Sequence, residues 1–137
     1  MIVDTSVVVD ALVPGSLSAA AREFLLRSSD LRAPDLLAVE IAGALTRAVR
    51  RGDISEEFAR SAHRASPQLL PALEATAPLL DRSFSLSLEL AHPLYDCVFL
   101  ALAEARATTL VSSDRRFTDK LKCSPHKRAV THLSDWE

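Results

Sequence analysis

The stretch Met1-Ile2-Val3-Asp4-Thr5-Ser6-Val7-Val8-Val9-Asp10-Ala11-Leu12-Val13-Pro14-Gly15 decides the fold. A β-branched run ends in the polar triplet Asp4-Thr5-Ser6, residues 7–13 are mostly apolar, and Pro14-Gly15 makes a turn, so the stretch reads as strand, cap, short helix, turn. The same grammar repeats outward. Residues 16–27 carry Leu17, Ala20, Ala21, Phe24 and Leu25 at helical spacing, and residues 31–33 form a second brief strand. Asp35 reads as the N-cap of a long amphipathic helix over 36–51, stopped by Gly52. Ser55-Glu56-Glu57 then opens another helix ending near Ser66-Pro67, which makes a helical hairpin. Residues 72–76 are a weak strand, followed by a helix with Pro78 in its first turn that runs to about Leu90 and is closed by His92-Pro93. Residues 94–105 are apolar on nearly every face, residues 108–112 form a short strand, Asp114 caps a helix to about Lys122, and residues 129–132 are a last strand, with Trp136 packing the carboxyl end. Short strands alternating with helices, without hairpin turns between strands, predict an α/β domain of three layers: a central parallel sheet covered on both faces.

At 137 residues, 48% hydrophobic and 25% charged, the chain is one domain, residues 1–137. Its three glycines, Gly15, Gly43 and Gly52, compose neither a GxGxxG nor a GxxxxGK[ST] run, which excludes a glycine-cradled nucleotide site. The longest wholly apolar run, residues 97–103, is far short of the ~20 residues a membrane span needs, and the expectation is a soluble, cytoplasmic protein. Sixteen basic against eighteen acidic residues give a net charge of -2, so a nucleic-acid signal must come from placement. Arg47, Arg50 and Arg51 close the hairpin's first helix, and Arg115, Arg116, Lys120, Lys122, Lys127 and Arg128 fill the last quarter. Solvated faces are the structural alternative for both groups.

Four carboxylates resist a purely structural reading. On a wheel of about 100° per residue, Glu40 shares one arc with Leu36, Leu37, Ile41, Ala44, Leu45 and Ala48. An ionised carboxylate there costs several kcal/mol unless a cation compensates it or it reaches solvent at the edge of the face. Asp96 opens the apolar helix among Leu94, Cys97, Val98, Phe99, Leu100 and Leu102, where the helix dipole alone would also favour it. Asp4 and Asp114 each lie just past a short strand and just before a helix, a position that suits an N-cap and, in a parallel sheet, the carboxyl edge where active sites collect. One arrangement accounts for all four: a self-repelling carboxylate cluster, stable when ionised only around hard divalent cations such as Mg²⁺ or Mn²⁺.

Asp4-Thr5-Ser6 at the start, Glu40 within a helix, Tyr95-Asp96 opening an apolar helix and Val111-Ser112-Ser113-Asp114-Arg115-Arg116-Phe117 near the end resemble, as an ordered set across the whole chain, a PIN-domain ribonuclease. The compact length and the close Leu133-Ser134-Asp135-Trp136 are similar to the VapC toxins of bacterial toxin–antitoxin pairs. The resemblance implies a metal-dependent endoribonuclease with Asp4, Glu40, Asp96 and Asp114 as catalytic metal ligands. Thr5, Ser6 and Ser112 would be supporting hydroxyls, with Ser112 standing where the family usually has Thr. It also implies a PIN-like fold with a protruding helical hairpin, Mg²⁺ or Mn²⁺ as cofactor, an RNA substrate, a protein antitoxin wrapping the basic groove, and a homodimer. Arg47 and Arg51 fall beside Glu40 on the wheel, roughly 10 and 16 Å along the helix, at phosphate-contact spacing. Arg115 and Arg116 would hold RNA on the other flank. The competing readings are a non-catalytic PIN-fold RNA-binding or scaffold module and a receiver-like signalling domain, although no midchain strand ends in an aspartate as the latter requires. Cys123, His126 and His132 lack a fourth ligand for zinc. His63 and His92 read as a surface helix residue and a helix-end residue. Asp10, Asp53, Asp81 and Asp119 read as surface or turn acids, and Cys97 as a packed, reduced core thiol.

Overall fold

β-Branched and apolar residues fill β1 and most of β4, the strands at the centre of the sheet in the computed structural model, which describes residues 1–137. β1 (Ile2–Val3), β2 (Arg32–Pro34), β3 (Ala72–Glu74), β4 (Leu110–Ser112) and β5 (Val130–His132) form one parallel sheet in the order β3-β2-β1-β4-β5. Ile2, Val3, Leu110 and Val111 are completely buried, as strands covered on both faces require. The helices are α1 (Thr5–Leu12), α2 (Ser18–Arg27), α3 (Leu36–Arg50), α4 (Glu56–Ala65), α5 (Leu80–Leu90), α6 (Leu94–Ala105) and α7 (Arg115–Lys122). The chain runs outward from β1 through β2 to β3 and then crosses back past β1 to β4 and β5, so right-handed crossovers place α1–α4 over one face and α5–α7 over the other. These are the three layers expected, and α3 and α4 make the helical hairpin.

The core explains the helix boundaries. Every residue of α6 from Cys97 to Ala103 is buried, which is why this helix is apolar all round and Cys97 is a free core thiol. Phe24, Phe99 and Phe117 are fully buried, each contributing about 1.5–3 kcal/mol by leaving water. Trp136 stacks edge-on against Phe24 at 4.9 Å and closes the carboxyl end as expected. No single helix is long and apolar enough to cross a membrane.

Two local expectations are corrected. Asp35 does not cap α3 with its side chain, because its backbone is already helical (φ -62, ψ -17). Its Oδ1 instead accepts from the Thr76 hydroxyl (2.6 Å) and amide (3.1 Å), while Thr76 Oγ1 accepts from the Leu36 amide. Thr76 thus serves the helix start from across the sheet. Pro78 lies in a separate 3-10 turn, Ala77–Leu79, that leads into α5, since a proline ring fits the tighter first turn without a lost donor. Gly52 adopts φ +78 and ends α3 with no left-handed penalty.

Candidate active site

Strand order reverses between β1 and β4, and in open parallel sheets the crevice beyond the carboxyl ends at that point is where ligands bind. The first residues past these two strands are Asp4 and Ser113-Asp114, brought level by the pairs Ile2–Leu110 and Val3–Val111. The Asp4 amide donates to the Val111 carbonyl at 2.9 Å, extending the ladder to the site itself.

Asp4 occupies the N-cap position of α1 but makes no capping bond. Its Oδ2 instead accepts from the hydroxyls of Ser6 and Ser112, both at 2.6 Å, and only 5% of the residue is exposed. The two serines are 3.3 Å apart; Ser6 Oγ also accepts from the Ser113 amide (3.0 Å) and Ser112 Oγ from the Asp114 amide (3.1 Å). The two hydroxyls therefore lock the start of α1 to the loop after β4 around one carboxylate oxygen. Asp114 itself does cap α7, its Oδ1 accepting from the Phe117 amide at 3.2 Å. From α3, Glu40 reaches the same triplet, accepting from the Thr5 hydroxyl at 2.9 Å. From α6, Asp96 accepts from His92 Nε2 at 2.6 Å.

Electrostatics identify these acids as unusual. Burial pushes Asp4 up to about 6 even though the Ser112 and Ser6 hydroxyls favour its ionised form, and the nearby Asp96 charge adds to the rise. Burial likewise raises Glu40 to about 6 against its Thr5 bond, with Asp4 and Asp96 repelling it and Arg47 partly relieving it. Asp96 is raised by burial too, offset by His92 and reinforced by Asp114. None of the four is ion-paired with a lysine or arginine; such pairs occur only elsewhere. Burial without a compensating cation on three of the four acids, and oxygen donors throughout, is a donor set matched to hard divalent ions. No three of the groups converge into a tight preformed cage. Mg²⁺, which keeps several waters and takes one or two carboxylates together with substrate phosphate, does not require such a cage.

The arginines divide. Arg47 lies along α3 toward Glu40, its Nη1 passing close over Gly43, where a Cβ would meet it at 3.3 Å. Arg51 and Arg116 are exposed and unpaired. Arg115 donates to Ser134 Oγ at 3.0 Å, holding the carboxyl-terminal segment, so the structure gives it a partner other than the carboxylates. Concavities of about 430 Å³, between α3 and α4, and about 410 Å³, near α2, contain none of the four acids.

Two contributors escaped the sequence reading. Asp10 is no ordinary surface acid: its Oδ2 accepts from Ser113 Oγ at 2.5 Å, one helical turn beyond Ser6 on the same face of α1, and that i, i+4 relation was the available signal. His92 does end α5, yet its side chain is buried against Asp96 and stacks on Phe117. Among the zinc candidates, His126 lies between Glu89 and Glu104, His132 bonds Ser113 and Ser134, and Cys123 is exposed.

Comparison with known proteins agrees with this architecture. The PIN domain family model matches residues 1–121. Ribonuclease VapC1 of Mycobacterium tuberculosis is 38% identical over 117 residues, covering 84% of this chain and 86% of the relative. Ribonuclease VapC3 of Pyrobaculum aerophilum is 30% identical over 122 residues, covering 88% and 93%. The crystal structure of PAE2754 from Pyrobaculum aerophilum superposes with a TM-score of 0.71 over 97% of this chain and 88% of that one, at 20% identity, and so shares its fold. With a family model spanning most of its length and VapC ribonucleases among its relatives, the chain belongs to the PIN-domain family, on its VapC branch.

Proposed function

We propose that the protein is a cytoplasmic, divalent-metal-dependent endoribonuclease toxin of the VapC type, held in check by a protein antitoxin and acting as a homodimer. The observation that carries the reading is the group of carboxylates at the switch point of the sheet, Asp4 buried and Glu40 and Asp96 partly buried, none ion-paired with a lysine or arginine. Relatives named as ribonucleases support the reaction class. Asp4, Glu40, Asp96 and Asp114 would hold Mg²⁺ or Mn²⁺, directly or through water. When bound, the ion supplies Lewis-acid stabilisation of the phosphodiester and acidifies an attacking water.

The chain's own residues do the positioning. Ser6 and Ser112 both donate to Asp4 Oδ2 and so restrain the carboxylate, leaving its other oxygen free of these two bonds. Thr5 restrains Glu40 in the same way. Arg47, Arg51 and Arg116 offer the positive charge that draws an RNA backbone across the edge, with Arg115 beside them at the start of α7. Single-stranded segments, whose bases can be splayed out and whose backbone is accessible, are the RNA form proposed for such a site.

The test is cleavage of a mixed RNA pool by the purified protein with Mg²⁺, with Mn²⁺ and with EDTA, alongside Asp4→Asn and Asp96→Asn. Cutting that needs metal and disappears in both variants is the expected result. A folded wild type that neither cuts RNA nor binds Mn²⁺ would overturn the reading in favour of a non-catalytic RNA-binding or scaffold module.

A further inference from the structure

Asp96 is the third residue of α6, where an acidic side chain ordinarily turns back to the backbone amide of the N-cap residue. Here the N-cap is Pro93, which has no amide hydrogen to give. The missing donor comes from His92, whose Nε2 lies 2.6 Å from Asp96 Oδ2. An ionised carboxylate can only accept, so Nε2 carries the proton.

His92 is itself held from three elements. Ala91 in the left-handed conformation (φ 47, ψ 50) turns the chain back over the end of α5. The His92 amide then donates to the Ser87 carbonyl (3.2 Å), and its carbonyl accepts from the Ser87 hydroxyl (2.6 Å). From α7, Lys120 Nζ donates to the Ala91 carbonyl at 3.0 Å. The His92 ring stacks on Phe117, with centroids 4.5 Å apart and planes 16° from parallel, and its side chain is only 8% exposed. Phe117 is the same residue whose amide holds Asp114 Oδ1. One aromatic residue therefore touches the supports of two carboxylates, through its backbone to Asp114 and through its ring to His92.

We infer that His92 is a positioning residue for the candidate metal site, fixing the Asp96 carboxylate through Nε2–H and, by stacking on Phe117, setting it in register with Asp114. The inference rests on the metal-site reading above and deepens it. A histidine donating to a carboxylate ligand belongs to the class of outer contacts whose loss costs about 10- to 100-fold in metal affinity.

The experiment is an Mn²⁺ titration of the full chain, read by the electron paramagnetic resonance signal of the free ion, with thermal unfolding recorded in parallel. His92→Phe keeps the ring stack and removes the donor; His92→Gln keeps an N–H donor and removes the stack; Asp96→Asn reports the site itself. The expected result is an Mn²⁺ Kd weakened about tenfold or more in H92F, which melts near the wild type, and partly recovered in H92Q, which keeps the donor but melts lower for want of the stack. A packing role alone would lower the melting temperature of H92Q, which loses the stack, and leave the Mn²⁺ Kd of H92F in place. Binding by H92F within about twofold of wild type, while D96N loses it, overturns the assignment of His92 alone. Wild type and D96N binding Mn²⁺ equally well, or neither binding it, overturns the metal-site reading and this inference with it.

Discussion

Replacing Asp4 by Asn should make the protein more stable while disabling its site. The wild-type carboxyl is raised from 3.8 to about 6 by burial, so the folded chain favours the protonated form and the unfolded chain does not. The stability Asp4 contributes is therefore fully present below the unfolded value and is lost as pH rises through about 6. At 1.36 kcal/mol per pH unit the loss at neutral pH is about 3 kcal/mol. Asn mimics the protonated acid, and its carbonyl can accept from both Ser6 and Ser112. Its extra N–H group needs a partner and returns about 1 kcal/mol of that gain. The net expectation at pH 7.5 is about 2 kcal/mol, a rise in Tm of about 5–8 °C for a domain of this length. At pH 4.5, where folded wild-type Asp4 already carries its proton, the advantage should fall close to zero. Thermal unfolding of both proteins in EDTA at the two pH values measures this directly. Equal melting temperatures at pH 7.5, or the same gap at both, would refute the claim that Asp4 is a strained, desolvated acid. Saturating Mn²⁺ should then close the gap from the wild-type side, since binding to the folded chain alone stabilises it by mass action.

Ser112→Ala removes the hydroxyl that donates to Asp4 and accepts from the Asp114 amide, in a fully buried position; urea unfolding at neutral pH should show a loss of about 1–3 kcal/mol. Arg47→Ala should weaken RNA binding and reduce the slope of log affinity against log salt by about 1, whereas an unchanged slope would remove Arg47 from the RNA path. Gly43→Ala fills a mid-helix glycine and should stabilise α3 by about 0.5–1 kcal/mol in thermal unfolding, but its methyl meets Arg47 Nη1 at 3.3 Å, so RNA affinity should fall as the guanidinium is pushed aside.

The strand–helix alternation could be read from the sequence because the central strands β1 and β4 are β-branched or apolar runs cut off by a polar residue, and burial on both faces removes any need for alternation there. Residues 94–105 were found to the residue, since a helix apolar all round has one place to go. Asp4 and Asp114 were visible as acids at strand ends, and Glu40 as a charge on an apolar arc. What stayed hidden depends on side chains meeting across large separations. His92 looks like punctuation between two helices, and nothing local reveals a stack on Phe117 or the consequence of a proline at the next N-cap. Asp10 has its partner 103 residues away. Asp35 carries the residue type of a cap, and only the neighbouring strand's exit, bearing Thr76, shows why its side chain turns elsewhere.

The pairing of β1 with β4 also bears on how the protein is made. Asp4 leaves the ribosome well before Ser112, the hydroxyl that completes its setting, which lies 108 residues later. At about 5–20 residues per second, translation holds the two halves of the site apart for roughly 5–20 s. During that interval the nascent chain has the first carboxylate without its counterpart strand. Until β4 has been made, Asp4 lacks both Ser112 and the Asp114 loop, so a chain broken off before β4 carries only part of the candidate site.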